Sequence, residues 1–398
     1  MSSRAPLLAC IAVLAFFAGI TGVRLAYTLA YVLIFLLVVA WLWSRALARK
    51  VDVARDSPGG AHMVGEPFTE RFVVRNRSAL PVAYCEVHDR TRLPGYVPGR
   101  ACSLRGGDVV SWTARGVFQR RGIYEFGPLE ARLGDPFGLF PRTVRVAPKT
   151  GVLVYPAIHA LGEMGPLSAE GGMGEQGRGR ATDSPPDVTT IRDYDPADGL
   201  GRIHWPSTAR TGHLMSRVYD TRQSADVLVM LDLQRGRHFG EAPESSLEYA
   251  VSVAASLCHA AVRRGQAFGL VTTDSQHTAF GAGRGEAQRL RVLDYLATCT
   301  DDGDIELATA LQRHGEGWRG RGSIVVITSN RSQGWVEALL DLGVRGQRHL
   351  AVFVEPTSFG APGAPLRIPA SWRLALDWWQ VRRGDELGGG LRSRAVGS

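Results

Sequence analysis

With 398 residues, 45% of them hydrophobic, the chain has room for two or three domains with sizeable cores. Its net charge of +8 contains no run of five or six basic residues, which argues against a dedicated nucleic-acid tail and suits a basic surface near an anionic leaflet. Cys10, Cys85, Cys102, Cys258 and Cys299 are odd in number and lack C-x-x-C spacing, so buried free thiols are expected rather than a zinc site or a disulfide framework.

Residues 1–50 read as a transmembrane helical hairpin. Pro6 to Gly22 and Leu25 to Trp43 are two apolar runs, each approaching the ~20 residues that cross a bilayer, parted only by a short turn around Arg24. Arg45, Arg49, Lys50 and Arg55 follow the second run. By the positive-inside rule, a multi-pass protein of the cell membrane with cytoplasmic soluble domains is expected. A signal peptide fits less well, because a second apolar run follows at once.

From 51 to 156 the pattern changes to short alternating runs, including Phe68 to Val74, Val82 to Val87, Val109 to Ala114 and Tyr124 to Leu133, broken at Asn76, Pro94-Gly95, Gly106-Gly107 and Gly134-Asp135. That spacing predicts a β-sandwich-like domain. Asp135-Pro136-Phe137-Gly138-Leu139-Phe140 reads as an apolar plug at one of its ends. Residues 157–186 are rich in Gly, Ser and Pro; their glycines are not followed by Lys-Ser or Lys-Thr, so an interdomain linker is expected rather than a phosphate-binding loop.

Residues 187–224 hold the densest mixture of charged, aromatic and proline residues. Ile191, Tyr194, Ile203, Trp205 and Leu214 alternate with Arg192, Asp193, Asp195, Asp198, Arg202, His204 and Arg210. Ile203 and Trp205 are expected in the core, with Arg202 and Arg210 ion-paired. Pro206 suits the first turn of a helix, with Ser207 or Thr208 as its cap. Asp193, His204 and Ser207 are the ingredients of a hydrolase triad, but Ser207 lacks a Gly-x-Ser-x-Gly elbow.

Tyr194, Asp195-Pro196-Ala197-Asp198, Arg202-Ile203-His204-Trp205, Thr208-Ala209-Arg210 and Leu214, preceded by the Asp135–Phe140 run and Val154-Tyr155-Pro156, resemble the signature of the DUF58 family. The resemblance implies a membrane-anchored protein with a von Willebrand factor A-like domain, in a family often associated with MoxR-type AAA+ ATPases. The chain has Pro196-Ala197-Asp198 where Pro-Gly-Asp is usual.

Residues 225–383 alternate strand and helix. Asp226 to Leu233, Ala267 to Thr272, Ser323 to Thr328 and Leu350 to Glu355 are apolar strands, and Ser245 to Arg264 is the clearest amphipathic helix. A mainly parallel sheet covered on both faces follows. Residues 384–398 read as a disordered tail. The resemblance would place Mg²⁺ beyond the strand ends, in an Asp-x-Ser-x-Ser loop. Asp232-Leu233-Gln234-Arg235-Gly236 has lost both serines, so no cofactor is expected and Asp232 is at most a weak metal candidate. Arg235 and Arg237, with Asn330 and Arg331, instead predict a basic rim.

These observations lead to a membrane-anchored, non-enzymatic interaction scaffold or adaptor acting with a MoxR-type AAA+ ATPase. Tyr194, Asp198, Arg202, His204, Trp205, Arg210, Arg235 and Arg237 are its candidate interaction residues. The alternatives are a hydrolase using Asp193, His204 and Ser207, and a nucleic-acid-binding protein.

Overall fold

Helix α1 (Arg4–Thr21) stops where Gly22 takes a φ of 69°, a conformation open to glycine, and donates its N–H to Ala18 O. Helix α2 (Arg24–Lys50) begins two residues later. The computed structural model describes residues 4–57, 59–91, 93–147, 149–161, 188–194, 203–219, 226–318, 322–343 and 349–387. The linker beyond residue 161, Asp195 to Arg202 and the tail beyond residue 387 lie outside these. Among the described residues, α2 is the helix long and apolar enough to cross a membrane, and the apolar part of α1 is shorter. At 1.5 Å per residue, the 27 residues of α2 span ~40 Å, longer than a ~30 Å hydrocarbon core.

Residues Met1–Ala157 and Ile158–Ser398 form two units. In the first, α2 runs directly into β1 (Val51–Asp56), and Val51 N–H closes the last turn on Leu47 O. The strands that follow are β2 (Ala61–Met63), β3 (Pro67–Asn76), β4 (Val82–Asp89), β5 (Arg100–Leu104), β6 (Val109–Val117), β7 (Gly122–Phe126), β8 (Leu129–Gly134), β9 (Arg142–Ala147) and β10 (Thr150–Tyr155). They form sheets of order β1-β3-β6, β2-β10-β7 and β5-β4-β8-β9. Alternation does its work here: the buried and exposed positions of β3 alternate, and Phe72 and Val74 meet Val82, Cys85, Val87, Leu129, Ala131 and Leu133 in one core. Leu47 of α2 belongs to the same core. Ser44 Oγ donates to Phe140 O (2.6 Å) and Trp43 Nε1 to Pro81 O (3.2 Å), so the end of α2 is built into the β unit.

A second cluster at the other end of β3 contains charge. Arg55 reaches Asp89 (2.9 Å) and Glu70 (3.7 Å), and the Tyr96 hydroxyl donates to Glu70, with all three ionisable side chains almost fully enclosed. Burial pushes the Glu70 carboxyl above its ordinary value, against the Tyr96 hydrogen bond and the Arg55 charge.

In the second unit, β11 (Val188–Asp193), α3 (Trp205–Thr211) and β12 (Met215–Tyr219) precede β13 (Asp226–Leu231), α4 (Ser246–Arg263), β14 (Phe268–Thr272) and β15 (Ala279–Gly283). Then come α5 (Gly285–Thr298), α6 (Leu307–Gly315), β16 (Gly322–Thr328), α7 (Gly334–Leu342), β17 (Leu350–Val354), α8 (Ala370–Ala375) and β18 (Asp377–Val381). The main sheet has the order β15-β14-β13-β16-β17-β18. Its pairs are parallel except β14 with β15, so the sheet is mixed. Helices α6 and α7 cover the face carrying Leu228, Met230, Ile324 and Val326. The alternate residues, Val227, Val229, Val325 and Ile327, are also fully buried, as parallel strands with both faces covered require. Strand β18 extends the sheet beyond Leu350–Val354, the last strand expected from the sequence.

Candidate functional site

The signature segment is built on a hairpin. Strand β11 pairs antiparallel with β12 as far as Asp193 opposite Met215, Tyr194 N donates to Leu214 O (2.8 Å), and His204 N to Met215 O (2.8 Å). Ile203 bridges to Ser216 and is buried at 5% exposure, as expected. The helix between them is capped by His204, not by Ser207 or Thr208. Its Nδ1 accepts from Ser207 N (3.3 Å) and lies 2.8 Å from Ser207 Oγ. Thr208 Oγ1 instead takes the Met215 N–H (3.0 Å), tying the helix to β12. Gly212, at φ 78°, ends it.

Trp205 is not core. It is 65% exposed, on a seven-residue helix that buries none of its residues. The apolar-polar alternation from Ile203 to Trp205 predicts burial of both, but the backbone turns into the helix at His204, and from there side chains follow the helical period and leave the hairpin. Leu214 and Arg210 are exposed as well. Asp198 and Arg202 lie outside the described residues.

The hydrolase ingredients are only partly assembled. His204 and Ser207 are in contact, but the contacting nitrogen is already the acceptor that caps α3. Asp193 is exposed, and among the described residues no hydrogen bond joins it to His204.

Beyond the carboxyl ends of the main strands sits Asp232, with no exposed surface. Its Oδ1 accepts from Gln234 N (3.1 Å) and Thr273 Oγ1 (3.0 Å), and its Oδ2 from Thr328 Oγ1 (2.6 Å). Each threonine hydroxyl accepts in turn, Thr273 from Leu233 N (2.7 Å) and Thr328 from Asn330 N (2.8 Å). The carboxylate thus braces the ends of β13, β14 and β16, and the Asp232 carbonyl receives His238 Nε2 (2.7 Å). This set does not fit Mg²⁺ as it stands: a hard cation wants several free oxygens, whereas the lone carboxylate here is engaged by three donors. Among the described residues there is no group of three or more acidic, histidine or cysteine side chains able to hold a metal.

The rim around Asp232 is of mixed charge rather than basic. Arg235 N donates to Gly303 O (3.0 Å) and its guanidinium to Asp302 O (3.4 Å), which brings the acidic 301–304 loop alongside. Arg237 is bonded to Gln234 (3.1 Å). Ser275 donates its hydroxyl (2.8 Å) and N–H (3.2 Å) to Asp302, holding that carboxyl below its ordinary value, and His277 lies 3.1 Å from Asp304. Burial would raise Asp274, but hydrogen bonds from Thr278, Tyr295 and Thr272 outweigh it and hold its carboxyl low. Asn330 is buried, its carbonyl taking Trp335 Nε1 (3.1 Å), and Arg331 is spent on Pro362 O (2.7 Å) and Ala364 O (3.1 Å). Thr273 and Thr328 stand at the strand ends where the sequence places a site, but their bonds to Asp232 are not readable from it. Their signal was a hydroxyl residue at the carboxyl end of each strand flanking β13.

A mixed, mainly parallel α/β sheet with a separate hairpin carrying a short exposed helix defines an α/β protein, here joined to a β unit and an apolar N-terminal helix. Residues 190–357 match the family described as "Protein of unknown function DUF58". The chain is 23% identical over 178 residues to "Uncharacterized protein YeaD" of Bacillus subtilis (strain 168), which covers 44% of this chain. The matched stretch spans 42% of that relative's length. Solved structures similar to parts of the chain include the complex of zinc 2-glycoprotein and prolactin inducible protein from human seminal plasma (7% identity, TM-score 0.21, 27% of this chain and 96% of that one). Another is the CARDB domain of a Pyrococcus furiosus protein (16% identity, TM-score 0.20, 26% of this chain and 94% of that one).

Proposed function

We propose that this chain is a membrane-anchored, non-enzymatic interaction protein of the cell membrane. In this reading α1 and α2 form a two-span hairpin, the β-sandwich-like unit and the von Willebrand A-like unit are cytoplasmic, and the signature segment is the docking surface for a MoxR-type AAA+ ATPase. The observation that carries it is Trp205. A large aromatic side chain held 65% exposed on a capped helix, with Leu214 exposed nearby, is the kind of group that anchors protein interfaces. Arg210 on the same helix, with Arg235 and Arg237 at the strand ends, supplies charge that acts on encounter and choice of partner. Arg45, Arg49 and Lys50 at the end of α2 support the orientation. The hydrolase reading has one observation in its favour, the 2.8 Å contact of His204 with Ser207, and the capping role of the same nitrogen accounts for it.

The test is affinity purification of the detergent-solubilised full chain with the AAA+ ATPase, comparing wild type, Trp205→Ala and the double variant Arg235→Glu, Arg237→Glu. The ATPase should co-purify with wild type, be lost with Trp205→Ala and be reduced with the charge reversal. Its absence from wild type removes the partner; equal recovery from all three removes the surface.

A further inference from the structure

The turn between β8 and β9 has a feature that the protein-docking reading does not use. Asp135, 2% exposed, accepts three backbone N–H groups, from Phe137 (3.1 Å), Leu139 (3.2 Å) and Phe140 (2.6 Å), and its carbonyl takes Gly138 N (3.0 Å). A buried carboxylate with this many donors fixes the turn as a rigid tip. Leu139 is turned inward, whereas Phe137 is displayed outward at 55% exposure. Leu139 is buried, as an apolar plug requires, whereas Phe137 is not.

The position of that tip gives the exposed ring a meaning. Phe140 O is the acceptor for Ser44 Oγ, so the turn is fastened to α2 one residue after Trp43. Leu47, a turn further on, is buried in the β core, while toward Trp41 and Phe35 the helix presents exposed apolar side chains. Ser44 thus marks the level at which α2 leaves the β unit. Trp41, with Arg45 over its ring at 5.7 Å, is three residues away, or ~4.5 Å along the axis. Aromatic and basic residues at the end of an apolar span mark the headgroup layer. Phe137 is three residues from Phe140, so within ~10 Å of that anchored residue even for extended chain. The headgroup layer on each side of the hydrocarbon is ~5–8 Å thick. Arg49, Lys50 and Arg142 add exposed or half-exposed positive charge at the same end of the unit.

We propose that this end of the β unit rests on the bilayer, with the Phe137 side chain inserted into the headgroup and upper acyl region of an anionic leaflet. The contact is continuous with the apolar surface of α2, and it rests on the reading that α2 spans the membrane. It makes the 135–140 turn a second membrane contact, fixing how the β unit meets the lipid surface.

The experiment uses the full chain in nanodiscs of phosphatidylcholine and phosphatidylglycerol. In a background carrying Cys10→Ser and Cys102→Ser, an NBD fluorophore is attached at Phe137→Cys, Phe35→Cys or Val97→Cys. Phe35 lies mid-span on α2. Val97 is 86% exposed and follows Tyr96, which packs on Phe68 at the end of β3 away from Asn76, where Arg77 N meets Lys50 O. Nitroxide lipids labelled at the headgroup or deep in the acyl chain act as quenchers. Position 137 should be quenched severalfold more strongly by the shallow nitroxide than by the deep one, position 35 by the deep one, and position 97 by neither. If 35 is quenched and 137 behaves like 97, the inference is wrong while the span stands. If 97 is quenched as strongly as 137, the β unit adsorbs without a specific contact, which also overturns it. If 35 is not quenched by deep nitroxide, α2 does not span and the proposal falls with that reading.

Discussion

Replacing Trp205 by alanine separates a displayed aromatic from a buried one, and Trp335 provides the internal standard. About a third of the Trp205 surface is covered, and at ~25 cal/mol per Å² over roughly 80 Å² that burial is worth at most ~2 kcal/mol. Alanine keeps part of the cover and the unfolded chain already hides some of it, so ~1 kcal/mol is the expected loss. In a unit of this size that corresponds to a fall of ~2–4 °C in Tm. Trp335, by contrast, is 1% exposed, stacks on Trp378 and donates to Asn330 O. Its truncation should cost ~3–5 kcal/mol and lower Tm by ~6–20 °C. Thermal melts of the full chain in detergent, followed by far-ultraviolet circular dichroism, measure both. If Trp205 anchors the proposed AAA+ partner, its loss should show mainly in affinity: a central aromatic anchor contributes ~2 kcal/mol or more, about a thirtyfold weakening of Kd for Trp205→Ala. A Tm loss for Trp205→Ala equal to that for Trp335→Ala would refute the reasoning, because the ring would then be core.

Two further outcomes rest on titration. Glu70 has a raised carboxyl pKa in the folded state, so its contribution is fully present below the unfolded value of about 4.5 and is lost as pH rises through the folded value. The stability of Glu70→Gln relative to wild type should therefore increase as pH rises above about 4.5, and a difference that is flat or falls with pH would contradict the assignment. Cys102, paired with Cys85 across β4 and β5, has its thiol lowered to about 7 by the hydrogen bond from Cys85, while Cys85 is pushed up by the same contact and by burial. Its alkylation by iodoacetamide, followed by peptide mass spectrometry, should reach half its maximal rate near pH 7 and shift to higher pH in Cys85→Ala. An unchanged profile in that variant would show that Cys85 is not the cause.

Much of the architecture was legible because burial leaves a period in the sequence. Phe68 to Val74 alternates as a strand with one buried face, and Ser323 to Thr328 is continuously apolar as a strand buried on both. Strand β18 escaped because it is an edge: Asp377-Trp378-Trp379-Gln380-Val381 is half-buried and reads as neither pattern. At the candidate sites the pattern misled where backbone direction changes. Trp205 follows Ile203 at strand spacing but sits on a helix, a change set by the His204 cap that composition does not announce. Asn330 and Arg331 looked like free rim residues, yet one is enclosed and the other holds the 361–364 segment, because contacts across long sequence separations are invisible to local periodicity. The three hydroxyl and amide donors to Asp232 come from residues up to 96 positions away and could be guessed only from their place at strand ends.

The junction between α2 and β1 has no linker: Lys50 ends the helix, Val51 begins the strand, and the Val51 N–H still belongs to the helix's last turn. Together with Leu47 in the core and Ser44 on Phe140 O, this welds helix and sheet into one lever. A flexible tether would let the β unit tumble independently of the helix. Here, a tilt or axial rotation of α2 becomes the same rotation of the β unit, so in the membrane-anchored reading proposed above a change in bilayer thickness or helix pairing would reorient that unit with it.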